Sequence, residues 1–210
     1  MFRKSGYDKV LLNLRVMTAE LAEAVQNHLK AAIEALEKGE TVLDWERQDD
    51  VIDQLRDNIV DRSYDIMSLQ QLRDQDLRWL LGFRRMAQEL ERSADYACDL
   101  AELSELRPEK DWPADIRQMA KQLLFMIEYT TAILKGNKEI DRDLADEDDV
   151  LDEAYAEFKE ALLKGSPRFN EGQLGIFLVI ARTIERMGDH IVNVAETLLY
   201  IQTGKRRLAD

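Results

Sequence analysis

An all-α fold of two tandem three-helix bundles, six helices related by a pseudo-two-fold internal repeat, is what this sequence predicts. Three observations carry the prediction. Proline and glycine are scarce, 3 and 9 residues of 210, while Ala, Leu, Glu, Asp, Arg and Lys dominate, a composition that favours helix throughout. Apolar residues recur at three- and four-residue steps rather than in alternation. A charged phrase is also written twice, ERSADYACDLAE at 91–102 and ERMGDHIVNVAE at 185–196.

The elements follow in order. The first helix is expected from about Tyr7 to Lys38, with Leu14, Met17, Leu21, Val25, Ala32 and Leu36 on one stripe and Gly39 as its stop. The second runs from about Val42 to Gln70, with Ile52, Leu55, Ile59 and Ile66 on one face. The third starts near Asp74 or Asp76, either of which suits a cap, and continues to about Leu106. The segment RPEKDWP at 107–113 then breaks the composition; Pro113 fits the first turn of a fourth helix capped by Asp111. That helix reaches about Leu134 and stops at Gly136-Asn137. The fifth covers about Ile140 to Lys164, ended by Gly165-Ser166-Pro167, and the sixth about Glu171 to Thr203.

The halves share one order: long helix, glycine, acidic helix, turn, helix bearing the phrase. At a shift of 94 residues, Leu80/Leu174, Phe83/Phe177 and Ala87/Ala181 join the five identities inside the phrase itself. Gly39 and Gly136 lie 97 apart and the motifs DDVID (49–53) and DDVLD (148–152) lie 99 apart, the drift that small loop insertions produce. Tandem duplication of a helical triplet is the simplest account, and triplets joined by short turns pack as antiparallel bundles. The expected division is a first bundle over 1–106, a linker over 107–113 and a second bundle over 114–210. Phe83, Ala87, Leu90, Ala94 and Ala101 are read as core.

A formal charge of −13 repels phosphate backbones, so nucleic acid is not an expected partner and basic proteins or cations are. Cys98 is the sole cysteine, which excludes an internal disulfide or a CxxC metal site; set among Ala94, Ala97 and Ala101, it reads as an inert core position. The longest apolar run, LGIFLVIA at 174–181, falls far short of the roughly 20 residues that span a bilayer. With no secretory leader recognisable, the cytoplasm is the expected compartment.

The chemistry lies in the carboxylates. Asp49/Asp53, Glu91/Asp95, Asp148/Asp152 and Glu185/Asp189 are i,i+4 pairs, stacked about 6 Å apart on one helix face. Acidic residues are 42 of 210, so one such pair means nothing by itself; Glu153/Glu157 and Asp57/Asp61 read as that background. The four named pairs differ because both halves put them on the same two helices. Two carboxylates at that spacing repel by about 3 kcal/mol at an effective dielectric near 20, and converging pairs need solvent, arginine or a bound cation. Arg92 and Arg186 point about 100° away from the glutamates and are imperfect counterions. An all-oxygen ligand set suits Mg²⁺, Ca²⁺, Mn²⁺ or iron better than structural zinc, with a plain solvated charged face as the alternative. His28 and His190 lack the Glu-x-x-His spacing of a ferritin-type site, and His190 reads as a polar neighbour of Asp189. No nucleophile–base arrangement, phosphate loop or HExxH is present, so nothing argues for catalysis.

The two phrases, each preceded by an acidic D-x-x-[IL]-D-type helix, resemble the PhoU family of phosphate-transport accessory proteins and phosphate-starvation regulators over roughly residues 5–203. The second copy, E-R-x-G-D-H-x-x-N-x-x-E, matches best; the first has Ala94, Tyr96 and Asp99 in place of glycine, histidine and asparagine. The resemblance implies acidic motifs able to carry multinuclear metal clusters of iron, zinc or another divalent cation. Its candidate ligands are Asp49, Asp53, Glu91 and Asp95 in the first half and Asp148, Asp152, Glu185 and Asp189 in the second. It further implies a non-enzymatic adaptor between a phosphate ABC transporter's ATPase and a phosphate-sensing histidine kinase, commonly a homodimer, reaching the membrane only through partners. A carboxylate-rich metal-dependent enzyme or metal store is the competing reading. A coiled-coil spacer is a weaker one, since a spacer needs apolar heptads but no fixed Glu-Arg-xx-Asp.

Overall fold

The computed structural model describes residues 4–38, 44–69, 72, 74–106, 112–165 and 171–205. These residues form six helices: α1 (Lys4–Lys38), α2 (Trp45–Leu69), α3 (Asp74–Glu105), α4 (Ala114–Leu134), α5 (Leu144–Leu163) and α6 (Glu171–Thr203). There is no strand among the described residues. The expected caps and stops at Gly39, Asp111 and Ser166-Pro167 lie outside them, as does most of the 107–113 segment.

Each stripe read from the sequence goes inward. Leu14, Leu21, Val25, Ala32 and Leu36 of α1 are buried, as are Ile52, Ile59 and Ile66 of α2 and Phe83, Ala87, Leu90, Ala94 and Ala101 of α3. Helices α1, α2 and α3 pack on one another, α4, α5 and α6 do the same, and the triplets join through α3 against α6 and α1 against α4. The buried apolar side chains of all six helices form one continuous core.

The α3–α6 seam is antiparallel and tight. A β-carbon at Gly82 would stand 2.6 Å from Ile201 Cγ2, so the missing side chain sets how closely the helices cross. Further along, the Ser93 hydroxyl approaches the Met187 carbonyl at 3.5 Å. Those residues are 94 apart, the same position in each repeat. Equivalent positions meet only where a two-fold relation passes between them, so the duplication seen in the sequence is also the symmetry of the packing.

Two helix starts differ from expectation. Pro113 stands at the N-cap of α4 rather than in its first turn, and it has no side-chain cap bond. Helix α5 begins at Leu144, not near Ile140, because Asp143 is its cap and accepts a hydrogen bond from the Ala145 N–H. The preceding residues serve another partner: the Asp141 and Arg142 N–H groups donate to the Tyr129 hydroxyl, which donates to the Asp141 carboxylate at 2.8 Å. At the end of α4, Gly136 adopts φ 76°, the left-handed turn that glycine tolerates. There Arg15 of α1 donates to the carbonyls of Ile133 and Leu134, tying the first half to a helix end of the second.

Candidate metal centre

Helices α2 and α3 carry the first set of carboxylates, α5 and α6 the second, and the two sets are built differently. In the second half, Asp152, Glu185 and Asp189 each bring one carboxylate oxygen within 4.8 Å of the others. Asp148 joins them electrostatically: burial, then the charges of Asp152, Asp189, Asp149 and Glu185, push its carboxyl up to about 7. Burial and Asp189 likewise raise Asp152 and Glu185.

What permits this crowding is Gly188, in the middle of the second phrase. A β-carbon there would stand 2.4 Å from Leu151 Cδ2 and 3.4 Å from Asp148 Oδ1. Leu151 is itself fully buried, so a β-carbon there would have to displace a core side chain. The glycine therefore lets α5 ride close on α6 and delivers Asp148 toward Glu185. The matching residue of the first phrase is Ala94.

Glu185 is 8% exposed. One of its oxygens accepts from Arg182, one turn earlier on α6, a guanidinium that also lies over the Tyr155 ring. The other oxygen, Oε2, and Asp148 Oδ1 are buried without a hydrogen-bond partner. Orphaned buried carboxylate oxygens are costly, and a cation held where Asp152, Glu185 and Asp189 converge, beside Asp148, would relieve that cost. This donor set fits a hard cation.

The first set does not fit one as it stands. Among the described residues, no three of Asp49, Asp53, Glu91 and Asp95 come within the same reach of one another. Arg56 of α2 stands between them, with Nη2 2.8 Å from Asp53 Oδ1 and 3.5 Å from Glu91 Oε1, and Nε 3.2 Å from Asp57 Oδ1. Burial and Asp95 still raise Glu91, and burial with Asp49 and Asp53 raises Asp95, so the acidic convergence is real in both halves.

Several neighbours were not foreseen. Arg56 and Arg182, rather than Arg92, neutralise the glutamates, while Arg186 reaches Asp189 at 3.4 Å. Both unforeseen arginines sit three residues from a carboxylate they pair with, a spacing that sequence does reveal. His190 faces Glu89 of α3 at 2.8 Å and stacks on Tyr96, and Asn193 donates to the same Glu89 at 3.2 Å. Cys98 is half-buried against His28 Nε2 at 3.2 Å and Asp49 Oδ1 at 3.8 Å, not in a purely apolar pocket. Burial and the Asp49 and Asp95 charges push its thiol up to about 12, so it stays protonated and unreactive for an electrostatic reason.

A family model described as the PhoU domain matches residues 18–104 and matches a second time at 116–198. The chain belongs to the PhoU family. The phosphate-specific transport system accessory protein PhoU homolog 1 of Thermotoga maritima is 28% identical over 214 residues, 95% of this chain and 90% of that protein. The PhoU homolog of Synechocystis is 29% identical over 215 residues, 97% of this chain and 94% of its own length. In fold, the PhoU-family chain resembles the phosphate transport system regulatory protein PhoU of Streptococcus pneumoniae, with TM-score 0.81, 21% identity and coverage of 95% and 98%. It resembles PhoU of Pseudomonas aeruginosa equally, with TM-score 0.81, 22% identity and coverage of 95% and 100%. Among the described residues, no helix of this PhoU-family member is long and apolar enough to cross a membrane.

Proposed function

We propose that the chain is a non-enzymatic regulator of phosphate uptake and of the phosphate-starvation response. It acts as an adaptor between a phosphate ABC transporter's ATPase and a phosphate-sensing histidine kinase. The observation that supports this most is the double PhoU-domain match, together with relatives of nearly the same length that are named accessory proteins of phosphate-specific transport. Within this reading the Asp148, Asp152, Glu185 and Asp189 cluster binds a divalent cation, supported by the two orphaned carboxylate oxygens. The ion supplies positive charge that holds α5 on α6 and fixes the acidic surface a partner meets.

Deletion of the gene in its own host tests the regulatory reading. Phosphate-starvation genes are expected to be expressed in phosphate-rich medium and to be silenced again when the gene is restored. Unchanged expression in the deletion strain refutes it. Turnover or metal uptake that vanishes in Glu185→Gln would instead favour an enzyme or a metal store.

A further inference from the structure

We propose that Arg56 is the resident cation of the first acidic cluster, so that metal loading is confined to the second half of the chain. The proposal deepens the metal reading above and rests on it only for the second half.

The geometry behind it is a guanidinium where an ion would otherwise sit. One nitrogen, Nη2, reaches Asp53 on its own helix and Glu91 on α3. The Arg56 side chain is 26% exposed and that of Glu91 19%. A pair such as Asp53–Arg56 on a wet helix face would be worth little. The bond to a largely buried glutamate on the neighbouring helix sets this arginine apart, because it bridges α2 and α3 across the cluster. A guanidinium stays charged at every accessible pH and presents several donors in a fixed fork. It does what a bridging metal ion would do, permanently and whatever the metal supply.

The second half is built in the opposite sense at three places. The position that matches Arg56 through the 99-residue offset of the acidic motifs is Tyr155, which carries no charge into the cluster. The arginines there, Arg182 and Arg186, both come from α6: Arg182 engages one oxygen of Glu185 and Arg186 reaches Asp189 at 3.4 Å, so neither bridges to α5, and Glu185 Oε2 and Asp148 Oδ1 stay without a hydrogen-bond partner. Gly188 lets α5 close on α6, where the first half has the β-carbon of Ala94, fully buried. One half thus holds a guanidinium that bridges its two helices; the other converges three carboxylates and leaves two buried carboxylate oxygens without a hydrogen-bond partner.

Manganese binding to the full chain, counted by electron paramagnetic resonance of the free aquo ion, tests the proposal. Wild-type protein is expected to hold one tight Mn²⁺, lost in Asp189→Asn and retained in Asp53→Asn. Arg56→Gln is expected to raise the count from one to two, and adding Asp53→Asn to that variant returns it to one. Loss of the wild-type ion in Asp53→Asn overturns the proposal, as does a folded Arg56→Gln protein whose count does not rise. If wild type binds none and Arg56→Gln binds one, the second-half metal reading fails while the role of Arg56 stands. Circular dichroism checks folding, and if Arg56→Gln does not fold, the contrast between Asp53→Asn and Asp189→Asn in the wild-type background still decides.

Discussion

Gly188 of α6 lies directly beneath Leu151 of α5, so close that a β-carbon would stand 2.4 Å from the leucine methyl. Alanine at this helical position would gain about 1 kcal/mol in propensity over glycine. Forcing a methyl into a packed contact costs about 1–3 kcal/mol, and the side chain it would displace, Leu151, is fully buried. Gly188→Ala is therefore expected to lose up to about 2 kcal/mol in urea denaturation and to weaken Mn²⁺ binding as α5 lifts from α6. An unchanged midpoint together with unchanged affinity would show that the close approach is incidental.

Asp148 makes the metal-free protein sensitive to pH in a defined direction. Its carboxyl ionises near 3.8 in the unfolded chain and at about 7 in the folded one. Between those values the folded state binds more protons, so stability falls as pH rises through the window. Asp152 and Glu185, also raised, act with the same sign. Glu89, held below its ordinary value by His190 and Asn193 despite its burial, acts in the opposite sense below about pH 4.5, and His28, whose imidazole burial holds below its ordinary 6.5, also opposes the Asp148 trend. In a His28→Gln background and in chelator, the urea midpoint should be higher at pH 5.5 than at pH 7.5, and adding Asp148→Asn should flatten the difference. A midpoint that climbs between those two pH values is the contrary result.

A bound cation should reverse that destabilisation. Any ligand specific for the folded state adds about 2.7 kcal/mol at a hundredfold excess over its Kd. Thermal melts of wild-type protein should shift upward with Mn²⁺ and back with chelator, and the shift should be absent in Asp152→Asn and Glu185→Gln. If those variants respond as wild type does, the ion is bound elsewhere.

Glu89 links the halves through His190 and Asn193. Hydrogen bonds to a charged acceptor contribute about 1.5–3 kcal/mol, so Glu89→Ala should destabilise by about 2 kcal/mol. The exposed neighbour Gln88 is the control, since an isolated surface substitution stays within about 0.5 kcal/mol. Equal midpoints for Glu89→Ala and Gln88→Ala would mean the linkage carries no stability.

Much of this architecture was legible in the chain because it rests on local rules. Periodic apolar positions fixed the buried faces of α1, α2 and α3, glycine marked the end of α4, and the 94-residue shift revealed the repeat. The start of α5 differs from expectation because residues 140–143 look helix-compatible, while the Asp141 and Arg142 N–H groups answer to Tyr129, more than ten residues earlier. The acidic pairs were visible, but not their inequality. That depends on which side chain stands between two helices: the 99-residue offset pairs Arg56 with Tyr155, but only the packing brings Arg56 to Glu91 of the neighbouring helix. Cys98 read as apolar from its sequence neighbours because His28 and Asp49 reach it from α1 and α2. Glu89 gave no signal at all: its partners lie 101 and 104 residues away.

The meeting of Ser93 with Met187 carries a last implication. A half-length chain could bury the α3 face only against a copy of itself, in an isologous contact where every substitution appears twice. Fusing the copies into one polypeptide lifts that restriction, because each side of the seam is then encoded separately. Ala94 facing one acidic helix and Gly188 the other, or Arg56 in one copy and Tyr155 in its twin, are choices that a self-paired half cannot make. Tandem fusion leaves each copy of the site free to change its side chains without changing the other.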